Sequence, residues 1–294
     1  MRTSTRMVVL GGFKGVLDLI SVIVSVAYGL RRLSRFWTGA AIRVMRTSDG
    51  AELDIGFIGE DLDVVTLLAF VGLANGEIVI WYDQSGNGRH AVSITGSRPR
   101  IVSNGAIETQ NGKPAIRFDG VNDYLAAASP LIGATHSLFI LFTPTIENEF
   151  GTVFGQWSSG QNGRFYVIAN QISSGAASAG FLNLANTTAT GGGGGSGFAA
   201  EVAISNTPTL ITSISSTGSE QWKLFKNGTE WDSATITSVY TGVNSAIGSL
   251  NGTGSLLPFD GTVSELISFP SALSTTDRQT LERNQGKYYS ITVA

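Results

Sequence analysis

The placing of apolar and polar residues changes along the chain. From Lys14 to Ser34 apolar side chains follow one another almost unbroken and are rich in Val and Ile. Behind an arm of residues 1–13, that stretch reads as a helix or a helix-strand mixture. Gly39 breaks the pattern, Ala41 to Arg46 reads as a strand, Ser48-Asp49-Gly50 as a turn, and Asp54 to Phe57 as a further short strand. Asp61-Leu62-Asp63 opens a helix with acids at its positive end and Val64, Leu67, Leu68 and Val71 on one side, ending near Asn75-Gly76. Glu77 to Tyr82 follows as a strand.

Beyond this point the pattern is strand and turn. Asn104-Gly105, Asn111-Gly112, Asn162-Gly163, Asn227-Gly228 and Asn251-Gly252 are Asn-Gly pairs, which tolerate the positive φ of hairpin turns. The run from Trp222 to Trp231 alternates around one of them and predicts a hairpin with its two tryptophans paired across it. Further strands are predicted at Ala115 to Phe118, Ser137 to Phe142, Thr152 to Phe154, Phe165 to Ala169, Phe181 to Asn186, Thr209 to Ser216 and Val263 to Phe269. Ser274-Thr275-Thr276-Asp277 has the form of a capping box and starts a short helix through Asn284 that stops at Gly286. The glycine run Gly191 to Gly195 reads as a surface loop; a phosphate-binding loop would need a following Lys-Ser or Lys-Thr. Strands and turns without helices between them imply a mostly β sandwich or jelly roll, not a parallel α/β sheet.

Composition sharpens this picture. Charged residues are 14% of the 294 positions, against about 25% in ordinary soluble domains, and glycine is abundant. That suits tight turns and a surface shared with neighbouring subunits. A net charge of −3, with Arg31, Arg32 and Arg35 as the only basic cluster, argues against nucleic acid. There is no cysteine, and His90 and His136 are the only histidines, which disfavours zinc. Arg2 and Arg6 before an apolar stretch, with Ser25-Val26-Ala27, resemble a cleavable leader. Lys14 and Asp18 interrupt that stretch, leaving Leu19 to Leu30, shorter than the roughly 20 residues a membrane-spanning helix takes. The reading carried forward is an arm and helix over residues 1–35 that dock on the domain or on a partner, followed by one sandwich domain over residues 36–294.

Two stretches resemble known families. Tyr28-Gly29-Leu30-Arg31-Arg32-Leu33, Thr38 to Val44, Ser48-Asp49-Gly50, Asp54-Ile55-Gly56 and Trp81-Tyr82-Asp83-Gln84-Ser85-Gly86-Asn87-Gly88-Arg89-His90 resemble, in order and spacing, the opening of the catalytic domain of the α-L-arabinofuranosidase B family. Similar stretches occur in predicted phage structural proteins. Phe118 to Tyr124, Asp260 to Ile267 and the Leu273-Ser274 to Tyr289 ending resemble laminin-G-like modules. Both resemblances imply a concanavalin A-like β-sandwich with a few short helices. The hydrolase resemblance also implies a retaining pair of carboxyls about 5 Å apart. Its nucleophile position corresponds to Val167 to Ile172, and no acid occurs between Glu149 and Glu201; its acid/base loop corresponds to Gly248-Ser249-Leu250-Asn251-Gly252. Amides and hydroxyls do not replace an ionisable carboxyl in that role. The implication is a hydrolase fold without the catalytic pair.

The candidate chemistry lies in three places. Asp83, Ser85, Asn87, Arg89 and His90 form the densest polar cluster: either Asp83 and His90 act as acid and base, or Asp83 and Asn87 hold Ca²⁺, or Asp83 closes an Asx turn with Gly86 and Gly88 supplying unusual φ values. Asp119, Asn122 and Asp123 form either a calcium site or a common turn. Trp157 and Tyr166, with Trp222, Trp231 and Phe165, either stack on sugar rings or fill the core. The expectation is a non-enzymatic virion surface protein, a capsid decoration or tail component made in a host cytoplasm. Its partners would be other virion proteins and copies of itself, with cell-surface polysaccharide as ligand and no transmembrane segment. A secreted adhesin and an arabinofuranosidase-like hydrolase are the alternatives.

Overall fold

The strand His136–Pro144 is buried at nearly every position, and the reason fixes the layers of the fold. In a computed structural model that describes residues 13–127, 129–133, 135–145, 151–157, 164–169, 182–187, 196–200, 206–216, 221–235, 244–250 and 257–294, successive side chains of this strand point to opposite faces. Leu138, Ile140 and Phe142 join the main core with Val44, Ile78, Trp81, Val153 and Ile247. Phe139 instead meets Ile267 and Leu281, and Leu141 meets Leu210 and Tyr289. The strand is buried on both sides, by a second sheet within and by the helix Thr275–Tyr289 without.

The helix-bearing sheet is built on Asp260–Phe269. One edge of that strand pairs with Val26–Gly29 and Ile116–Asp119; the other pairs with His136–Pro144, followed by Thr209–Ser215, Gln221–Lys226 and Thr229–Thr235. The opposing sheet runs Glu52–Ile55, Ile42–Arg46, Gly76–Trp81, Ala91–Val92, Leu125–Ala127, Asn244–Ile247, Gly151–Trp157, Arg164–Ala169, Leu182–Thr187 and Ser196–Ala200. Arg100–Ser103 links the two, pairing with Gly76–Trp81 and meeting Ile116–Asp119 at Arg117. All of these pairs are antiparallel, and the fold is the expected mostly β sandwich.

Local chemistry sets the turns. Asn104, Asn111 and Asn227 sit at φ of 48°, 47° and 48°, each followed by a glycine at positive φ. The other two Asn-Gly pairs and the Gly191 to Gly195 run lie outside the described residues. The hairpin at Asn227-Gly228 forms as predicted, but its register places Ala234, not Trp231, opposite Trp222. The turn pairs Lys226 with Thr229, which carries Trp222 past Trp231, and a shift between Leu224 and Phe225 adds one more position; Trp222 packs into the main core and Trp231 against it. Asp63 caps the helix Val64–Val71 by accepting the Thr66 N–H at 2.9 Å, and Asp61–Leu62 precedes it as a short strand. Ser274 caps the C-terminal helix through the Asp277 N–H at 3.1 Å. That helix runs past Gly286 to Tyr289. The glycine serves packing, since a Cβ there would stand 2.5 Å from Val293 and 2.8 Å from the Ile291 carbonyl.

Of the helix or helix-strand mixture expected over residues 14–34, the structure has the mixture: a 3-10 turn, Val16–Leu19, and the strand Val26–Gly29. The β-branched Val22, Ile23, Val24 and Val26 favour extended backbone, and the edge of Asp260–Phe269 supplies the hydrogen bonds. Within the docking segment expected over residues 1–35, therefore, residues 26–33 contribute a strand and buried side chains to the sandwich. Arg31 is fully buried: Nε lies 2.7 Å and Nη2 3.2 Å from the two oxygens of the equally buried Glu265, and Nη1 reaches Glu60 at 3.0 Å and the Asn284 side chain at 2.8 Å. Gln285 and Tyr289 donate to the same Glu265 at 3.1 and 3.2 Å. Burial disfavours the charged guanidinium, but the Glu265 carboxylate outweighs it and holds the Arg31 pKa above its usual value. The network ties the N-terminal segment, the central strand and the last helix together.

Candidate binding site

The Trp81 to His90 segment leaves its strand at Trp81 and turns back through Gly86 and Gly88, at φ of 87° and 71°. Asp83 is fully buried inside this loop and is saturated. Its Oδ1 accepts the N–H groups of Ala27 and Ser85 at 2.9 Å each; its Oδ2 accepts the Ser85 hydroxyl at 2.8 Å and the Arg89 N–H at 3.1 Å. The neighbouring side chains reach the same stretch of chain. Gln84 donates to the carbonyls of Gly29 and Arg31 at 2.9 and 3.0 Å and accepts the Leu33 N–H at 2.8 Å. Asn87 donates to the carbonyls of Val24 and Ser25 at 2.8 and 3.0 Å, Arg89 to the Ser25 hydroxyl at 3.0 Å, and Tyr28 to the Arg89 carbonyl. His90 meets Asp83 through the backbone: its Nδ1 accepts the Asp83 N–H at 3.1 Å, while its ring packs edge-on against Tyr82. The polar cluster singled out in the sequence is thus a clasp that closes over residues 24–33, with Asp83 closing the Asx turn.

The outer rim of the clasp, Gln84, Ser85 and Gly86, forms one wall of a groove of about 450 Å³. Leu17, Ile20 and Val24 line it as well, together with Ser34, Arg35, Phe36 and Trp37. Phe36 is 75% exposed, which is unusual for a phenylalanine. The Arg35 guanidinium stands 4.7 Å over its ring, and Trp37 is fixed by its Nε1–H on the Ala40 carbonyl at 3.1 Å. A side chain at Gly39 would collide with Trp37 at 2.7 Å, so glycine there lets the indole lie flat. Asp18 braces the wall by accepting the N–H groups of Gly15 and Arg35 at 2.8 Å and the Ser34 hydroxyl at 2.9 Å. With that carboxylate engaged, the groove offers an aromatic platform, hydroxyls and one guanidinium. Sequence reading passed over Phe36 and Trp37; an aromatic pair between Arg35 and Gly39, in a stretch with neither strand nor helix periodicity, was the available signal.

Asp119, Asn122 and Asp123 do come together, as a turn. Asp119 accepts the N–H groups of Val121 and Asn122 at 2.8 and 3.3 Å, Asp123 accepts the Asp119 N–H at 3.0 Å, and Asn122 donates to the Gly96 carbonyl at 2.9 Å. Burial and, after it, the Asp119 charge push the Asp123 carboxyl up to about 7. Ca²⁺ takes six to eight oxygens, and among the described residues no group of three or more His, Asp or Glu is gathered as a metal cage.

Trp157 and Tyr166 lie on neighbouring strands, with Gly155 paired to Tyr166 and Trp157 to Asn244. Their side chains lie outside the described residues. Of the two stretches matched to hydrolase carboxyls, residues 170–172 and 251–252 lie outside them as well. In the described remainder, Ser249 and Leu250 are buried and Gly248 takes a φ of 86°.

No protein-family model matches the chain, and no curated protein matches it. Among solved structures it is similar to a GH54 α-L-arabinofuranosidase soaked with a cyclic sulfate inhibitor, at 15% identity and a TM-score of 0.64, over 89% of this chain and 62% of that one. It is also similar to an arabinofuranosidase complexed with arabinofuranosyl-α-1,2-xylobiose, at 14% identity and a TM-score of 0.62 over the same shares. The chain therefore spans about 62% of the length of these structures. At such identity the likeness shows a shared β-sandwich fold.

Proposed function

We propose that this chain is a non-enzymatic carbohydrate-binding β-sandwich carried on the surface of a virion, and that the groove between the clasp and Phe36-Trp37 holds the sugar. The observation that carries the reading is the exposed Phe36 ring, beside a fixed indole and a guanidinium, in a groove also lined by Ser21, Ser34 and Ser85. Such a site covers the apolar face of a sugar and leaves polar groups for its hydroxyls. The fold agrees with this use, since it is shared with arabinofuranosidases solved with an inhibitor and with a branched xylobiose.

The non-enzymatic part draws on the carboxylates. Among the described residues most buried carboxylates are engaged with cations or N–H donors: Glu265 with Arg31, Glu282 with Arg278, Asp260 with Arg117 and Asp83 within the clasp, while Asp123 accepts one N–H beside Asp119. The virion part draws on the low charge and on the N-terminal segment, where Ile23 is 79% and Leu19 42% exposed, a surface suited to a neighbouring subunit. The test is binding of the full chain to immobilised bacterial polysaccharides alongside Phe36→Ala and Trp37→Ala. Each variant is expected to weaken binding at least about tenfold, and equal binding by all three chains overturns the assignment of the groove. Release of product from an aryl arabinofuranoside would restore the hydrolase reading. Failure of an antibody against the chain to label intact phage particles made by cells that express it would remove the virion role.

A further inference from the structure

The hairpin of Gln221–Lys226 and Thr229–Thr235 carries a second groove at its turn, of about 430 Å³, lined among others by Lys226, Thr229, Glu230, Trp231 and Thr292. It shares no residue with the Phe36 groove. Its volume falls within the roughly 300–1,000 Å³ of small-ligand sites. None of these five residues is buried, so each is open to a molecule lying in the groove.

The groove is held in shape by the fold. Leu224 faces Asp232 and Phe225 faces Glu230, which leaves Trp231 as the extra residue of a bulge. A bulge re-aims a side chain out of the alternation of its strand. The Trp231 indole packs against the main core and lines the groove as well, so it stands there as a fixed apolar surface. Thr292 is brought to it by residues 291–294, which are seated on the turn: the Ala294 N–H donates to the Asn227 carbonyl at 3.1 Å, and a Cβ at Gly228 would stand 2.7 Å from Val293.

The same groove offers one ammonium and one carboxylate. Glu230 also holds Lys223 at 3.1 Å, whereas Lys226 makes no ion pair among the described residues, and burial lowers its pKa. An ammonium partly stripped of water and left without an acceptor is costly. An oxygen arriving with a ligand removes that cost. An anionic ligand would meet Glu230 and a cationic one Lys226. A hydroxyl both donates and accepts, so a neutral polyol serves both charges at once, while the apolar face of a sugar ring covers the indole.

We propose that this groove is a second saccharide site, which binds a short neutral sugar with one ring on Trp231 and its hydroxyls on Lys226 and Glu230. The inference rests on the Trp231 surface and the unpaired ammonium and does not depend on the Phe36 groove. The test is an NMR titration of the full-length ¹⁵N-labelled chain with D-glucose, D-galactose, L-arabinose and xylobiose, up to roughly 100 mM, where a millimolar binder saturates. The indole N–H resonances of Trp231 and Trp37 report the two grooves separately. At least one of these sugars is expected to move Trp231. Lys226→Met keeps the stem and removes the donors, and is expected to weaken binding read at Trp231 about tenfold; Glu230→Gln is expected to weaken it about threefold. Neither residue belongs to an apolar cluster, so the fold does not rest on either.

If none of the four sugars moves Trp231, or if both variants bind as the parent does, the proposal fails. Movement of Trp37 alone overturns it and leaves the Phe36 groove standing. D-Glucuronate and D-glucosamine are expected to bind more weakly than the best neutral sugar, and tighter binding of either at Trp231 would overturn the choice of a neutral ligand.

Discussion

Asp83 and Asp123 are both buried aspartates in loops that leave a strand, and they behave in opposite ways. Asp83 accepts four hydrogen bonds from three backbone N–H groups and a hydroxyl, including one from the distant Ala27. Asp123 accepts one N–H and lies near the negative charges of Asp119 and Glu77. Burial alone therefore does not decide what a carboxylate does for a fold; the donors that replace its water do.

The largest way to break the comparison is Asp83→Ala. It leaves the N–H groups of Ala27, Ser85 and Arg89 without their acceptor and frees the strand Val26–Gly29 from the clasp. A loss on the order of 3–5 kcal/mol is expected, measured by denaturant unfolding, with hydrogen exchange at Ala27 accelerated before global unfolding. If Asp83→Ala costs under about 1 kcal/mol, the clasp is not what holds residues 24–33.

Next in size is Asp123→Asn, whose sign depends on pH. The folded Asp123 carboxyl sits near 7, above the ordinary 3.8, so its contribution is complete below about 4 and is lost as pH rises through 7. His136 works the other way. It is buried between the Gly133 carbonyl and the Ser213 hydroxyl, and burial lowers it from 6.5 to about 4, so stability is lost as pH falls from 6.5 towards 4. Between pH 4 and 7 the two slopes oppose each other in the parent chain. Asp123→Asn removes one of them: the variant should be more stable than the parent at pH 8, by about 1–2 kcal/mol after allowing for solvent screening. It should also become steadily less stable as pH falls below 6.5. Melting curves across this range check both statements, and parallel profiles for the two chains would show that Asp123 keeps an ordinary pKa.

The difference between the two aspartates also marks what can be read from a sequence. The turn chemistry of Asp83-x-x-Gly-x-Gly and Asp119-Gly is local, so both turns were legible, as were the Asn-Gly hairpins and the strands that alternate. What Gln84 and Asn87 would grip was not, because their partners lie 51 to 63 positions away in a segment whose composition also suits a helix. The ion pair of Arg31 and Glu265 spans 234 positions and follows only from the sheet order. The Trp222 and Trp231 pairing failed for a local reason: a turn that pairs Lys226 with Thr229 and Phe225 with Glu230 already carries Trp222 past Trp231, before the shift at Leu224 and Phe225 adds one more position. Phe36 was missed because an aromatic residue in an irregular stretch is read as core unless its exposure is known.

That exposure yields the smallest expected change in stability and so the cleanest separation of binding from folding. Phe36 is 75% exposed and belongs to none of the three apolar clusters. Its ring removes little apolar surface from water, and among the described residues its ring contact is the Arg35 guanidinium at 4.7 Å, a pair worth about 0.5–1 kcal/mol at an exposed site. Phe36→Ala should therefore unfold within about 1 kcal/mol of the parent, while Phe139→Ala, a fully buried ring packed edge-on against Phe269, should lose about 3–5 kcal/mol. A surface phenylalanine that the fold does not need agrees with the proposed role as a ligand platform. If Phe36→Ala instead destabilises the chain as a core substitution does, the ring is packed in solution, against the segment before Phe13 or a second copy, and the groove beside it is not open to sugar.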